Sequence, residues 1–359
     1  MTTAVIVFTD EWLPYSPTVL NLRSCLEEHG CRARVVTLRS ALFKNFEHLE
    51  GDVAAFRFPR LLQRLLTRLR LYRAVKLVLF VLRYGREIRR ADLCFGVDAL
   101  GFLIGRVLGK QPYYVSLEVE RDVWFRMAEK LGIRHVLIQT EERFDYLFGG
   151  SPQPPQISIL PNSPILERAS MPARGENDLI CFGWISAEHG VELCIDALKE
   201  LPEKRLTLKG PIDPKYLKHL KDRYEPLLRS GRLIVDQSYL EPDDVIPYLG
   251  RFAIGFCFYD FTRLSSDDFN YVSCPSGKLF HYMAAGVPVI GADIVGLQVV
   301  RQRNCGVLLR EVSAASIAEA VTAIEADREG YRRRAIEAAA DFDFRRHFDR
   351  FFTSVVSSS

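Results

Sequence analysis

Nowhere does this chain run to the 18 or so uncharged apolar residues that a spanning helix needs, so the sequence predicts no transmembrane segment. Its eight cysteines (Cys25, Cys31, Cys94, Cys181, Cys194, Cys257, Cys274 and Cys305) include no C-x-x-C pair and no metal-ligand spacing. Most fall inside apolar strand or helix patterns, where a thiol behaves as a small hydrophobe, and that usage points to a reducing compartment. The opening MTTAVIVFTDE is a strand followed by acid, without the basic start of a signal peptide, so none is expected. No internal repeat is evident, and the only low-complexity tract is a frayed Ser357–Ser359. Acid is nearly absent between residues 57 and 90, where Glu87 alone faces eleven Arg or Lys. That puts +10 into 34 residues and leaves −7 for the remainder of a chain whose total is +3.

At 359 residues the chain is too long for one core of usual size, and the pattern predicts two domains. Apolar strands are expected at Ala4–Phe8, Arg34–Leu38, Val53–Phe58, Leu93–Val97, Tyr113–Leu117 and His135–Gln139, with helical patterns between them. Alternation of this kind is the signature of a doubly wound parallel sheet. After Gly149 the turn-rich GGSPQPPQ and a PNSP turn interrupt the pattern, and the polar residues 166–178 read as a linker. Alternation then restarts, with strands at Leu179–Phe182, Arg205–Lys209, Leu233–Val235, Ala253–Phe258, Val287–Ile290 and Gly306–Leu309. Beyond Tyr331 the chain is helical to its end.

The most telling stretch is Ser273–Ala292, SCPSGKLFHYMAAGVPVIGA. A polar turn opens a helix, the helix stops at Gly286, and a short apolar strand follows. A helix start gathers unpaired N–H groups and the positive end of the helix dipole, which suits a phosphate. Lys278 adds a full charge in the first turn. Spacing alone is equally met by an ordinary turn, helix and strand with a surface lysine.

The wording narrows this. PSGKLFHYMAAGVPVI resembles the PSKLFEYMAAGKPVI segment of nucleotide-sugar glycosyltransferases with two Rossmann domains, the GT-B type, and most of all the family 4 group and its relatives. Leu179–Leu198, LICFGWISAEHGVELCIDAL, is similar to that group's FVGRLSPEKGVDLLIEAF, and Ile157–Ile165 matches the way these enzymes leave the first domain. The resemblance covers about half the chain. It implies an α/β fold of two Rossmann-like, doubly wound parallel-sheet domains facing across a cleft: residues 1–165 for the acceptor and 179–335 for the donor, with a terminal helix, 336–359, crossing back to the first. It implies a donor held at helix starts after Gly183 and Pro275, by Gly183, Trp184, Ser186, His189, Lys209, Ser276, Gly277, Lys278 and His281. No cofactor or metal is expected, because the nucleotide-sugar (UDP- or GDP-linked) is a substrate and helix ends with basic side chains stabilise its leaving diphosphate.

Four charges of the family pattern are missing. Trp184 and His189 stand where it has arginine and lysine, and His281 and Ser273 stand where it has two glutamates. Lys278 and Lys209 remain as basic candidates for the diphosphate, His281 as a partner for a ribose hydroxyl, and Trp184 as a stacking surface. Each also fits ordinary lining of the site, and Ser186 also fits a plain helix cap.

On the acceptor side YYVSLEVE is a strand ending in acid, where family members carry a histidine or aspartate. A base must take the acceptor hydroxyl's proton, which makes Glu118 the first candidate, with Glu120 and Asp10 behind it. Glu120 fits equally the acidic start of the helix at Val123. Whether transfer inverts or retains configuration stays open.

Within the basic segment, Arg57, Arg60, Arg64 and Arg68 are spaced to line one helix face, and Leu62, Leu65, Leu66 and Leu69 the other, with Arg73 following. Such a helix suits an anionic membrane surface; it also suits a core-packed helix with a solvated arginine face. Nucleic acid is not expected, since no recognised module accompanies the charge and aromatic residues are not interleaved with it. The sequence therefore predicts a glycosyltransferase acting on a lipid-linked or cell-envelope glycan, peripheral at the inner face of the cytoplasmic membrane. The alternatives are a catalytically silent scaffold that binds a sugar or a partner subunit, and a nucleotide-sugar epimerase.

Overall fold

Each apolar run of the first half becomes a strand, and the central ones are buried on both faces because helices cover the sheet from either side, while the edge strand Asp52–Arg57 is only half-buried. The computed structural model describes residues 1–39, 49, 52–166, 178–264 and 268–356. It divides the chain into Met1–Pro161 with Phe344–Ser359, and Asn162–Asp343. The strands of the first unit are β1 (Thr3–Val7), β2 (Arg32–Arg39), β3 (Asp52–Arg57), β4 (Leu93–Val97), β5 (Tyr113–Val115), β6 (His135–Ile138) and β7 (Gln156–Ile159). All run parallel in the order β3-β2-β1-β4-β5-β6-β7. Strand β7 is absent from the sequence reading, because QISI is an edge strand with exposed and half-buried residues and no apolar run.

On one face of this sheet Val5, Val7, Val36 and Leu38 pack against Phe80, Tyr84 and Ile88 of the helix Tyr72–Arg90. Leu100 and Ile104 of the helix Asp98–Val107 join the same cluster. The terminal helix Phe344–Phe351 belongs to this unit too: the Phe351 ring lies 5.3 Å from those of Tyr113 and His135. Arg345 grips Glu28 with two hydrogen bonds, at 2.9 and 3.0 Å. The sequence placed the return at residue 336, but it comes at Phe344. The helix Arg328–Ala339 keeps its small apolar face, Ala335, Ala338 and Ala339, in the second unit's core.

The second unit holds β8 (Asp178–Phe182), β9 (Arg205–Lys209), β10 (Leu233–Asp236), β11 (Ile254–Cys257), β12 (Val289–Ala292) and β13 (Gly306–Leu309). Their order is β10-β9-β8-β11-β12-β13, again all parallel. Side chains alternate between its faces. Leu179 and Cys181 pack with the helices Val191–Ala197 and Ala314–Ala326. Ile180 packs with Pro242–Leu249, Gly277–Ala284 and Arg328–Ala339. Of the expected linker 166–178, residues 167–177 lie outside the described residues, as does Ser357–Ser359.

Candidate functional site

In a parallel strand–helix–strand unit every helix begins at the C-terminal edge of the sheet. In the second unit that edge gathers the ends of β8 and β9 and the start of the helix Gly277–Ala284, which links β11 to β12. Gly183 follows β8, and its N–H donates to the Lys209 carbonyl at 3.0 Å. Gly210 follows β9 at φ +141°, and a Cβ there would sit 2.0 Å from the Gly183 carbonyl oxygen. The two turns thus lie backbone against backbone, and Trp184 beyond them stands 42% exposed while Ile185 is buried.

Lys278 is the second residue of its helix and is half-buried. Among the described residues no carboxylate pairs with it, so its charge is unspent within the unit. Ser276 is buried at the N-cap, and its side chain makes no capping hydrogen bond to the helix. Gly277 allows a close passage: a Cβ there would approach Asn162 Nδ2 to 2.8 Å.

His189 lies near enough to Lys278 to feel its charge. Burial, and then Lys278, push its imidazole down to about 3, so at neutral pH it is uncharged. Its Nδ1 is hydrogen-bonded to Ser186 Oγ at 2.8 Å, and this is where the Ser186 hydroxyl goes in place of capping. His189 therefore does not replace the charge of the family's lysine. His281 is also buried, which lowers its pKa, and its Nδ1 lies 2.7 Å from the Gly277 carbonyl. A carbonyl only accepts, so Nδ1 carries the proton and Nε2 keeps its lone pair. His281 is thus a neutral acceptor, the polarity a ribose hydroxyl needs.

One sequence expectation meets a competing role here. Lys209 is only 1% exposed and its ammonium donates to Asp236 Oδ2 at 2.8 Å, to Ser238 O at 2.9 Å and to Ser238 Oγ at 2.6 Å. Its charge is consumed inside the sheet edge, leaving Lys278 as the basic candidate for a diphosphate. Ser273, at a family glutamate position, is buried and donates its hydroxyl to the Phe269 carbonyl.

In the first unit the C-terminal ends of β1, β4 and β5 carry Asp10, Asp98 and Glu118. Asp98, which the sequence reading missed, has φ 51° and accepts from the N–H groups of Leu117 (2.8 Å) and Glu118 (3.1 Å) through one oxygen. Burial, with Glu118 close by, holds its carboxyl well above the usual range; Asp10 adds to this and the two N–H groups oppose it. Fully buried Arg143, also missed, donates to the Leu117 carbonyl at 2.9 Å. The Ser116 hydroxyl donates to the Glu118 carbonyl at 3.1 Å. Glu118 is therefore a half-buried carboxylate on a backbone fixed from three directions.

Asp10 receives buried Lys76, whose Nζ lies 3.2 Å from Asp10 Oδ1 and donates to the Thr9 carbonyl at 3.0 Å. Glu120 is different, since Arg73 reaches it at 2.9 Å and also bonds Asp122, the cap of the helix Val123–Lys130. The geometry thus gives Glu120 the helix-start role and removes Arg73 from the free basic surface. Among the described residues no three His, Cys, Asp or Glu side chains gather as a metal site.

The basic segment is two helices, and Arg57 lies on neither: it ends β3, and Pro59 caps the helix Arg60–Arg68. Arg70 adopts φ 59° at the break before Tyr72–Arg90. Of the four leucines placed on the face opposite the arginines only Leu66 is buried. Leu62, Leu65 and Leu69 are exposed, as are Leu61 (81%), Leu71 and Leu82 (77%). Arg60, Arg64 and Arg68 share this surface. Among the described residues no helix is long and apolar enough to cross a membrane.

Residues 176–327 match the family described as glycosyl transferases group 1. No curated protein matches the chain. Among solved structures, HepE of Anabaena in complex with UDP-glucose is 14% identical with a TM-score of 0.73, over 99% of this chain and 100% of that one. The pneumococcal O-GlcNAc transferase GtfA, with UDP and GlcNAc, is 10% identical at a TM-score of 0.68, over 99% of both chains. WaaG, a glycosyltransferase involved in lipopolysaccharide biosynthesis, is 14% identical at 0.61, over 95% of this chain and 96% of that one.

Proposed function

We propose that this chain, a glycosyltransferase of the GT-B fold, moves a sugar from a UDP- or GDP-linked donor to a hydroxyl of a lipid-linked or cell-envelope glycan at a membrane surface. The observation that carries the donor half is Lys278: an ammonium without a carboxylate partner among the described residues, in the first turn of a helix that its N-cap side chain does not cap. The diphosphate would lie against that helix start, the ribose hydroxyls would meet His281 Nε2, and Trp184 would offer a stacking face. Glu118 is the base for the acceptor hydroxyl, with Asp98 and Arg143 as positioning residues. HepE and GtfA were captured with UDP, which supports a uridine donor.

A thermal-shift screen against UDP, GDP, dTDP, ADP and CMP tests the reading, and stabilisation by one nucleotide identifies the donor. No shift with any of them would favour the catalytically silent scaffold. Lys278→Ala is expected to weaken nucleotide diphosphate binding about tenfold or more, the loss of one charge-assisted contact. Unchanged affinity by titration calorimetry would take Lys278 out of the site.

The membrane half rests on the exposed leucines interleaved with Arg60, Arg64 and Arg68. Each leucine buried in a bilayer interface gains about 1.5–3 kcal/mol, and each arginine near an anionic leaflet about 1 kcal/mol. Reversing the three arginines to glutamate should release the protein from phosphatidylglycerol vesicles in a flotation assay. Leu61→Ser with Leu65→Ser should do the same, and a wild type that ignores such vesicles would end the membrane reading.

A further inference from the structure

The starts of β1, β2 and β3 lie at the sheet edge opposite Asp10 and Glu118. There they meet the C-terminal half of the helix Tyr72–Arg90 around a cavity of about 540 Å³. Five arginines line it, Arg32, Arg34, Arg83, Arg86 and Arg90, against two carboxylates, Asp52 and Glu87. Like charges repel, so folding alone does not favour such a cluster. The dipole at the helix end accounts for Arg90, and for Arg89 beside it. Arg83 and Arg86 stand further back along the helix, on the same face as Arg90.

The two carboxylates satisfy little of this. Arg34 Nε lies 3.1 Å from Asp52 Oδ1 and 3.1 Å from Glu87 Oε1, between two acceptors. Neither ion contact has hydrogen-bond geometry, and both Arg34 Nε and Glu87 Oε1 are buried without a hydrogen-bond partner. Arg32 reaches Asp52 only at 3.4 Å. Arg83 lies over the rings of Phe56 (5.6 Å) and Tyr84 (5.9 Å), which fixes its guanidinium plane. Among the described residues neither Arg86 nor Arg90 has an ion-pair or hydrogen-bonding side-chain partner.

A cavity lined by five arginines against two carboxylates, with Arg86 and Arg90 unpaired among the described residues, is short of one polyvalent anion. Planar guanidinium groups match phosphate oxygens in pairs. We propose that this cavity is a phosphate-ester site, separate from the diphosphate position at Lys278. A lipid headgroup and a soluble phosphate ester present the same chemistry to it.

Titration of the full chain with inorganic pyrophosphate, in a Lys278→Ala background, tests the site. Binding is expected, weakened about tenfold or more by Arg86→Ala with Arg90→Ala, each of which removes a charge-assisted contact. Glu87→Gln removes a competing negative charge and should tighten binding, a gain that misfolding does not produce. Vesicles of phosphatidylcholine with phosphatidic acid separate the sources. For a lipid headgroup, the arginine double variant loses vesicle binding and pyrophosphate competes with it. For a soluble ester, vesicle binding is unchanged while the pyrophosphate effects persist. Absence of pyrophosphate binding, or binding that responds to none of these variants, overturns the proposal.

Discussion

Glu118→Gln is expected to lower kcat by about 10²–10⁴, the usual contribution of a positioned general base. Glutamine keeps the shape of the side chain and removes the ability to take a proton. The backbone of Glu118 is held by Asp98 and by the Ser116 hydroxyl, so the substitution should not move it. Nucleotide affinity, read by titration, should therefore stay unchanged while turnover falls. Asp98→Asn is the informative companion. Its amide should keep one acceptor for the Leu117 and Glu118 N–H groups, but it removes a titratable carboxyl beside Glu118. Its signature would be a changed pH profile of kcat with the rate largely kept, as a positioning residue requires. A Glu118→Gln enzyme with wild-type kcat would remove Glu118 as the base and return attention to Asp10.

Gly210→Ala should be the most damaging single methyl in the second unit. The new Cβ would lie 2.0 Å from the Gly183 carbonyl oxygen, and 2.9 Å from its carbon, so backbone must move. Overpacking costs about 1–3 kcal/mol, and a side chain at this positive φ adds about 1–3 kcal/mol of strain. For a unit of this size that lowers the unfolding midpoint by roughly 5–15 °C. Gly231→Ala is the control, because φ is +72° there but nothing lies within 4 Å of the added atom. Calorimetry should show a clear drop for Gly210→Ala and a small one for Gly231→Ala. Equal drops would mean that strain alone, and not the meeting of the two turns, sets the cost.

The sheets were legible in the sequence because strands buried on both faces are continuous apolar runs, as AVIV and LICF are. Edge strand β7 carried no such run. The helix start at Gly277 was legible from local spacing, since turn, lysine and apolar face sit within ten residues. The competing role of Lys209 was not legible, for the opposite reason. Its partner Asp236 lies 27 residues away, and only the pairing of β9 with β10 sets the two side by side in register. Asp98 likewise looks like any acid after a strand in FGVDALG. It gains meaning once β4 lies between β1 and β5, which brings the ends of three strands to one edge. The leucines of Arg60–Arg68 left a membrane-facing and a core-packed helix both open, because periodicity reveals that a face exists, not what covers it.

The position of the helix Phe344–Phe351 bears on how this polypeptide is made. Residues 162–343 form an insertion within the first unit, whose helix Phe344–Phe351 is made only after all of them. Domains generally complete from the N-terminus during synthesis, but here the unit that begins first must finish last. Until Phe351 arrives, the rings of Phe95, Tyr113 and His135 lack their cover and Glu28 lacks Arg345. The nascent first unit therefore waits, with an aromatic face exposed, while the second unit has every residue it needs to fold.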